Sequence, residues 1–265
     1  MNISSNARIY DLEQPRYFGA PTFPNHAPGY VYTLHAHHEE GTGSARTSAS
    51  GFMYTTEHSG THIDALCHQA EDLHLYGGRE VDASVQTSRG FTELGAETIA
   101  PLIARGVLLD IARQRGVERI GAGNPMQQNE LEAAAQKQGV AIGEGDVVLL
   151  RTGNGALWHD PTVYLQAGGA SAGASSWLAS RGVQAVGADN VAWDEVGVVD
   201  PDLRVALPGH MILLARHGIY IIENLYLEEL ARTQCYEFTF ICLPLKLRGA
   251  TGSPVRPIAL AEGEH

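Results

Sequence analysis

The amino-acid sequence predicts an α/β fold, and three observations lead to it. Short runs rich in aliphatic and β-branched residues recur from about residue 106 onward. Segments of strong helix formers lie between them. No internal repeat and no Gly/Ser/Pro-rich linker interrupts the 265 residues, so a single domain over 1–265 is expected, with 1–50 as a loop-rich N-terminal extension.

Residues 1–50 are rich in Pro, Gly, His and Ser, and GAPTFPNHAPGYVYTLHAHHEEGTG reads as ordered loops and short strands. Such an extension would shape a pocket or a subunit contact. Its HAHH tract, 35–38, reads as a solvated loop. Buried strands are expected in GVLLDIA (106–112), DVVLLRTG (146–153), VQAVGAD (183–189), GIYIIEN (218–224) and YEFTFICLPL (236–245). Helices are expected in NELEAAAQKQG (129–139), which ends on a glycine, and in SAGASSWLASRG (171–182). PGHMILLARHG (208–218) fits a helix, although its apolar run leaves a strand open.

Composition excludes several function classes. The formal net charge is −12, with no Lys/Arg-rich block, which argues against nucleic acid as a partner. No apolar run approaches the ~20 residues that cross a bilayer, so no membrane association is expected. The first residues lack the pattern of a signal peptide, and the three cysteines, Cys67, Cys235 and Cys242, form no CxxC pair; a cytoplasmic location is expected. A GxSxG element and a dinucleotide fingerprint are both lacking, and no organic cofactor is called for.

The stretch 58–68, HSGTHIDALCH, concentrates possible metal ligands. On a helix, His58 and His62 would share a face without Asp64. Extended, positions 58, 60, 62 and 64 share a face. A straight strand would spread them over about 20 Å, whereas ligands of one ion lie ~2 Å from it. The chain must therefore curl, and Gly60 is the residue that permits it. Two imidazoles and a carboxylate suit Zn²⁺ or Mn²⁺. Cys67 reads as a small buried hydrophobe. Glu57, on the opposite face of an extended chain, is left out of the site. Thr61, His74, Tyr76, Trp158 and Trp193 are weaker candidates, with core packing favoured for both tryptophans.

The pattern His58-x-Gly60-Thr61-His62-x-Asp64-x-x-x-His68 resembles the signature of the cyclase-like metal-dependent hydrolases, which include bacterial kynurenine formamidases and isatin hydrolases. RTGNGALW (151–158), VGADNVAWD (186–194), ENLYLEEL and the closing PLKLRGATGSPVR resemble further family landmarks. The resemblance implies a swivelling β/β/α-type fold, a mixed sheet closing toward a barrel with surrounding helices. It implies a first metal at His58, His62 and Asp64, with His68 as general acid/base beside Asp64. It implies a second ion at His210 and Glu223, whose separation is one residue longer than the usual pattern; His217 is the alternative to His210. The implied activity is hydrolysis of a C–N bond in an arylformamide or small cyclic amide. A lactone or ester hydrolase, or a silent metal- or ligand-binding member, is the alternative. A homodimer or homotetramer acting on a small-molecule substrate completes the expectation. Ala65-Leu66 stands where many members have proline, which leaves kynurenine-type substrates open.

Overall fold

The computed structural model describes residues 7–40 and 45–262. Nine strands form one mixed sheet that curls into a half-barrel. In chain order they are β1 (Arg8–Asp11), β2 (His62–Asp64), β3 (Leu102–Asp110), β4 (Val147–Arg151), β5 (Ala185–Ala188), β6 (Tyr220–Glu223), β7 (Glu237–Cys242), β8 (Gly252–Pro254) and β9 (Ile258–Ala261). Across the sheet the order is β1-β9-β7-β3-β4-β5-β6-β2-β8. The central β3, β4, β5 and β6 are mutually parallel, and the pairs on either flank are antiparallel.

The central strands read as unbroken apolar runs because both of their faces are covered. Leu108, Leu149 and Ile222 enter one core cluster. Val107, Leu109, Val148, Leu150 and Ile221, their alternating neighbours, enter the other, together with Leu131, Ala134, Trp177, Leu178, Leu213 and Leu214 from helical segments. Each such aliphatic side chain contributes roughly 1.5–3 kcal/mol on leaving water, so the parallel centre is the rigid scaffold of the site.

The helices follow local signals. Helix α1 (Gln128–Gln138) opens with a capping box between Gln127 and Glu130 and closes on left-handed Gly139. Helix α2 (Ala172–Ser180) is capped by the Ser171 hydroxyl, which accepts from Ala174 N–H at 3.1 Å. The run from 208 is helical, beginning as the single turn Pro208–His210 and continuing as a π-helix over Met211–Arg216. The expected strand at 106–112 stops at Asp110, whose side chain caps the short helix Ile111–Arg115.

Among the described residues before 56, short strands alternate with loops. Arg8–Asp11 is an edge strand of the main sheet, and Tyr30–Ala36 pairs with Ser50–Thr55 as a separate hairpin. The described residues of the HAHH tract are largely exposed on or beside this hairpin. No helix among the described residues is long and apolar enough to cross a membrane.

Candidate metal centre

Residues 57–61 form a turn, and β2 begins only at His62. Gly60 has φ +61°, and a Cβ there would lie 2.9 Å from Arg16 Nε. Glycine is thus required both for the left-handed backbone and for space. The turn folds His58 back over β2. Within β2, His62 pairs with Glu223 of β6 on one side and Pro254 of β8 on the other. Asp64 pairs with Gly252, where a Cβ would meet the His58 ring at 2.8 Å. Glu223 closes β6 at the carboxyl end of the parallel strands, the end where open α/β sheets place their ligands.

Five side chains converge on Asp64. His58 Nδ1 lies 2.9 Å and His62 Nε2 3.6 Å from Asp64 Oδ1. His210 Nε2 lies 3.6 Å from Asp64 Oδ2 and 3.2 Å from Glu223 Oε1. His62 Nε2 is 3.3 Å from Glu223 Oε2. Ligand atoms of Asp64, His210 and Glu223 all lie within 4.8 Å of one another, as do those of His58, Asp64 and His68. The π-helical segment sits between His210 and Glu223. A π-turn takes up more residues per turn than an α-turn, so the longer spacing in the sequence still brings both side chains to one point. His217, by contrast, is exposed.

Three of the histidines have one ring nitrogen held in place and the other turned inward. His210 Nδ1 is 2.7 Å from Asp194 Oδ2, and the same carboxylate accepts the backbone N–H groups of Gly209 and His210. His62 Nδ1 is 2.8 Å from the Gly60 carbonyl. His58 Nε2 is 2.8 Å from the Thr251 hydroxyl, which itself donates to Glu57. Metal-binding histidines are oriented in this way, by a partner on the far nitrogen. Glu223 Oε1 also accepts the Trp193 backbone N–H at 2.7 Å.

The inward atoms fit a divalent cation. Asp64 Oδ1, Asp64 Oδ2 and His62 Nε2 are buried and make no hydrogen bond. Leaving a buried carboxylate unpaired costs several kcal/mol, and a cation at their common point offsets that cost. His58 Nδ1 and Asp64 Oδ1 are close yet not aligned as donor and acceptor, as two ligands of one ion would be.

Burial dominates the titration of these groups. It drives His58 well below the ordinary imidazole range and pushes His68 down to about 3. For His62 and His210 burial acts the same way, but it is outweighed by Glu223 and Asp64 in the first case and by Asp194 and Glu223 in the second, so both are raised. Burial raises Asp64. At Glu223 the contacts with His210 and His62 overcome burial, and its pKa is lowered.

A model of the Cyclase family matches residues 10–195. The chain belongs to the Cyclase family. A curated kynurenine formamidase from Bacillus cereus is 30% identical over 249 residues, covering 94% of this chain and 95% of the relative. The crystal structure of a novel cyclase superposes with a TM-score of 0.85 at 30% identity, over 97% of this chain and 88% of that one. Isatin hydrolase A from Ralstonia solanacearum shares the fold, with a TM-score of 0.72 at 23% identity over 97% of this chain and 93% of that one.

In this Cyclase-family chain, all six singled-out positions, His58, His62, Asp64, His68, His210 and Glu223, meet in one cluster. The weaker candidates fall elsewhere. The Thr61 hydroxyl donates to the Asn224 carbonyl and accepts Gln14 N–H, tying β2 to its surroundings. His74 is exposed and bonded to its own turn at Asp72, and Tyr76 packs over Gly218. Trp158 and Trp193 are buried, their indole N–H groups donating to Pro15 O and Ser175 Oγ. Cys67 is buried and its thiol is pushed up to about 12 by burial. Glu57 corrects the sequence reading: because 57–61 is a turn and not a strand, Glu57 reaches Thr251 and supports His58. Sequence reasoning also missed Asp194 and Thr251; only Asp194 carried a signal, as the last residue of the 186–194 landmark.

Proposed function

We propose that the chain is a metal-dependent hydrolase that cleaves the C–N bond of an arylformamide or small cyclic amide. The observation that carries this reading is the convergence of His58, His62, His210 and Glu223 on Asp64, whose two buried oxygens accept no hydrogen bond among the described residues. His58, His62 and Asp64 would hold one ion, and His210 and Glu223 would hold a second with Asp64 shared. Nitrogen and oxygen donors without a thiolate favour Zn²⁺ or Mn²⁺. When bound, such an ion supplies Lewis acidity, polarising a carbonyl oxygen and lowering the pKa of water.

The chain's own residues supply the remainder. His68 stacks on His58 with ring centroids 4.0 Å apart, and neither of its ring nitrogens is held by a hydrogen bond among the described residues. It is free to take a proton from the attacking water as the new C–O bond forms. It then delivers that proton to the leaving nitrogen as the C–N bond breaks. Asp194, Gly60 and the Glu57–Thr251 pair keep the other three imidazoles from turning. The similarity to a kynurenine formamidase supports a C–N bond as the target.

Chelator-stripped protein, reloaded with Zn²⁺ or Mn²⁺ and assayed on N-formylkynurenine, isatin and simple lactones, tests the reading. Metal-dependent turnover of an amide is expected. Activity that survives complete metal removal, or turnover confined to lactones, overturns it. Assembly as a homodimer or homotetramer belongs to the same proposal. It is supported by Tyr32, Leu34, Phe52, Met53 and Tyr54, which expose apolar surface on the N-terminal hairpin, and is tested by sedimentation.

A further inference from the structure

A fifth histidine borders the cluster and is absent from the motif. His26 ends the 3-10 turn Pro24–His26, and its ring centroid lies 4.8 Å from that of His58 and 6.5 Å from that of His68. Phe23 flanks it at 5.8 Å. The turn is fastened to the site. The His26 carbonyl accepts the Gly29 N–H at 3.1 Å and the Thr56 hydroxyl at 2.9 Å, two residues before His58.

The histidines divide by what holds their rings. His58, His62 and His210 each have one nitrogen fixed by Thr251, the Gly60 carbonyl or Asp194. Among the described residues, no hydrogen bond fixes either ring nitrogen of His26 or His68. An imidazole that must hold an ion is oriented from behind; one that meets a substrate keeps its donors and acceptors open. His26 is also only partly buried, while His62 and His210 are enclosed.

We propose that His26 is a substrate-binding residue: its ring N–H donates to a carbonyl or carboxylate oxygen of an aromatic amide held at the metal centre, on the side of the cluster where His68 moves the proton. This rests on the hydrolase reading above. It separates His26 from the metal ligands and assigns to the N-terminal extension one wall of the substrate pocket.

The test compares wild type with His26→Leu and His26→Gln as metal-loaded proteins. Both variants retain the backbone bonds of the turn. Leucine removes the donor, and glutamine restores one of similar reach. Expected for His26→Leu is a KM raised about tenfold or more, the usual effect of losing one hydrogen bond to a substrate oxygen, with kcat within about threefold. Metal content and affinity, read by elemental analysis and competition with a chromophoric chelator, should equal wild type. His26→Gln should recover most of the loss in KM. A fall in metal affinity would make His26 a ligand and overturn the proposal. A fall in kcat at constant KM, or no change in either, would also overturn it. Should the wild type turn over none of the amides, the hydrolase reading fails separately. Calorimetric titration with isatinate then decides on His26: weaker binding by His26→Leu supports the role, and equal or absent binding in both proteins overturns it.

Discussion

His62 and Glu223 are direct cross-strand partners, and their side chains meet at 3.3 Å although they come from opposite halves of the sequence. The pairing of β2 with β6 joins the histidine motif to the end of the parallel sheet. Neither segment holds the cluster alone. The motif supplies His58, His62, Asp64 and His68, and the segment from 208 to 223 supplies the remaining imidazole and carboxylate.

Orientation of His210 depends on Asp194. Asp194→Asn removes the carboxylate from His210 Nδ1 while leaving an oxygen for the Gly209 N–H. Metal affinity is expected to fall about 10–100-fold, measured by chelator competition. Unchanged affinity would show that packing alone orients the ring.

His68 is expected to act on protons and not on the ion. His68→Ala should keep the wild-type metal content and lose ~10²–10⁴-fold in kcat. Loss of metal together with activity would instead place it among the ligands, as its nearness to His58 and Asp64 allows.

Gly60 is constrained twice, by φ +61° and by the Arg16 side chain 2.9 Å from the position of a Cβ. Gly60→Ala should cost about 1–3 kcal/mol of stability. A melting temperature lower by roughly 2–4 °C per kcal/mol is expected, along with weaker metal binding, since His58 and His62 flank the turn. A variant with wild-type melting and metal affinity would refute this.

The Arg115–Glu130 pair gives a pH-dependent prediction away from the cluster. Two guanidinium contacts of 2.6 and 2.7 Å, together with the capping box, hold Glu130 below its ordinary value of 4.5. A depressed carboxylate stabilises the fold above its unfolded pKa, and that stability is lost as pH falls through the folded value. Glu130→Gln should therefore lower the melting temperature at pH 7 by an amount equivalent to about 1 kcal/mol. The difference should shrink steadily as pH drops below about 4.5. A gap that stays constant down to acid pH would show that the charge on Glu130 contributes nothing.

Local chemistry made much of the fold readable. The aliphatic runs contain β4, β5, β6 and β7 and overlap the second half of β3, and Gly139 marks the end of α1. The error at 106–112 has a local cause too: Asp110 is a helix cap, and a cap residue inside an apolar run is easily read as strand. The motif was legible because its ligands lie within seven residues and its hinge is a glycine. Glu57 was misjudged because period-two alternation does not survive a left-handed turn.

The sequence by itself determined the central strands, the two longer helices, the family resemblance and the histidine–aspartate motif, because each rests on side chains close together along the chain. Tertiary structure alone decided that Asp194 would stand behind His210, that Thr251 would join Glu57 to His58, and that His26 would face the cluster. Those contacts depend on strand register and on the curl of the sheet, which arise from the packing of two buried faces at once and leave no periodic trace in any one segment.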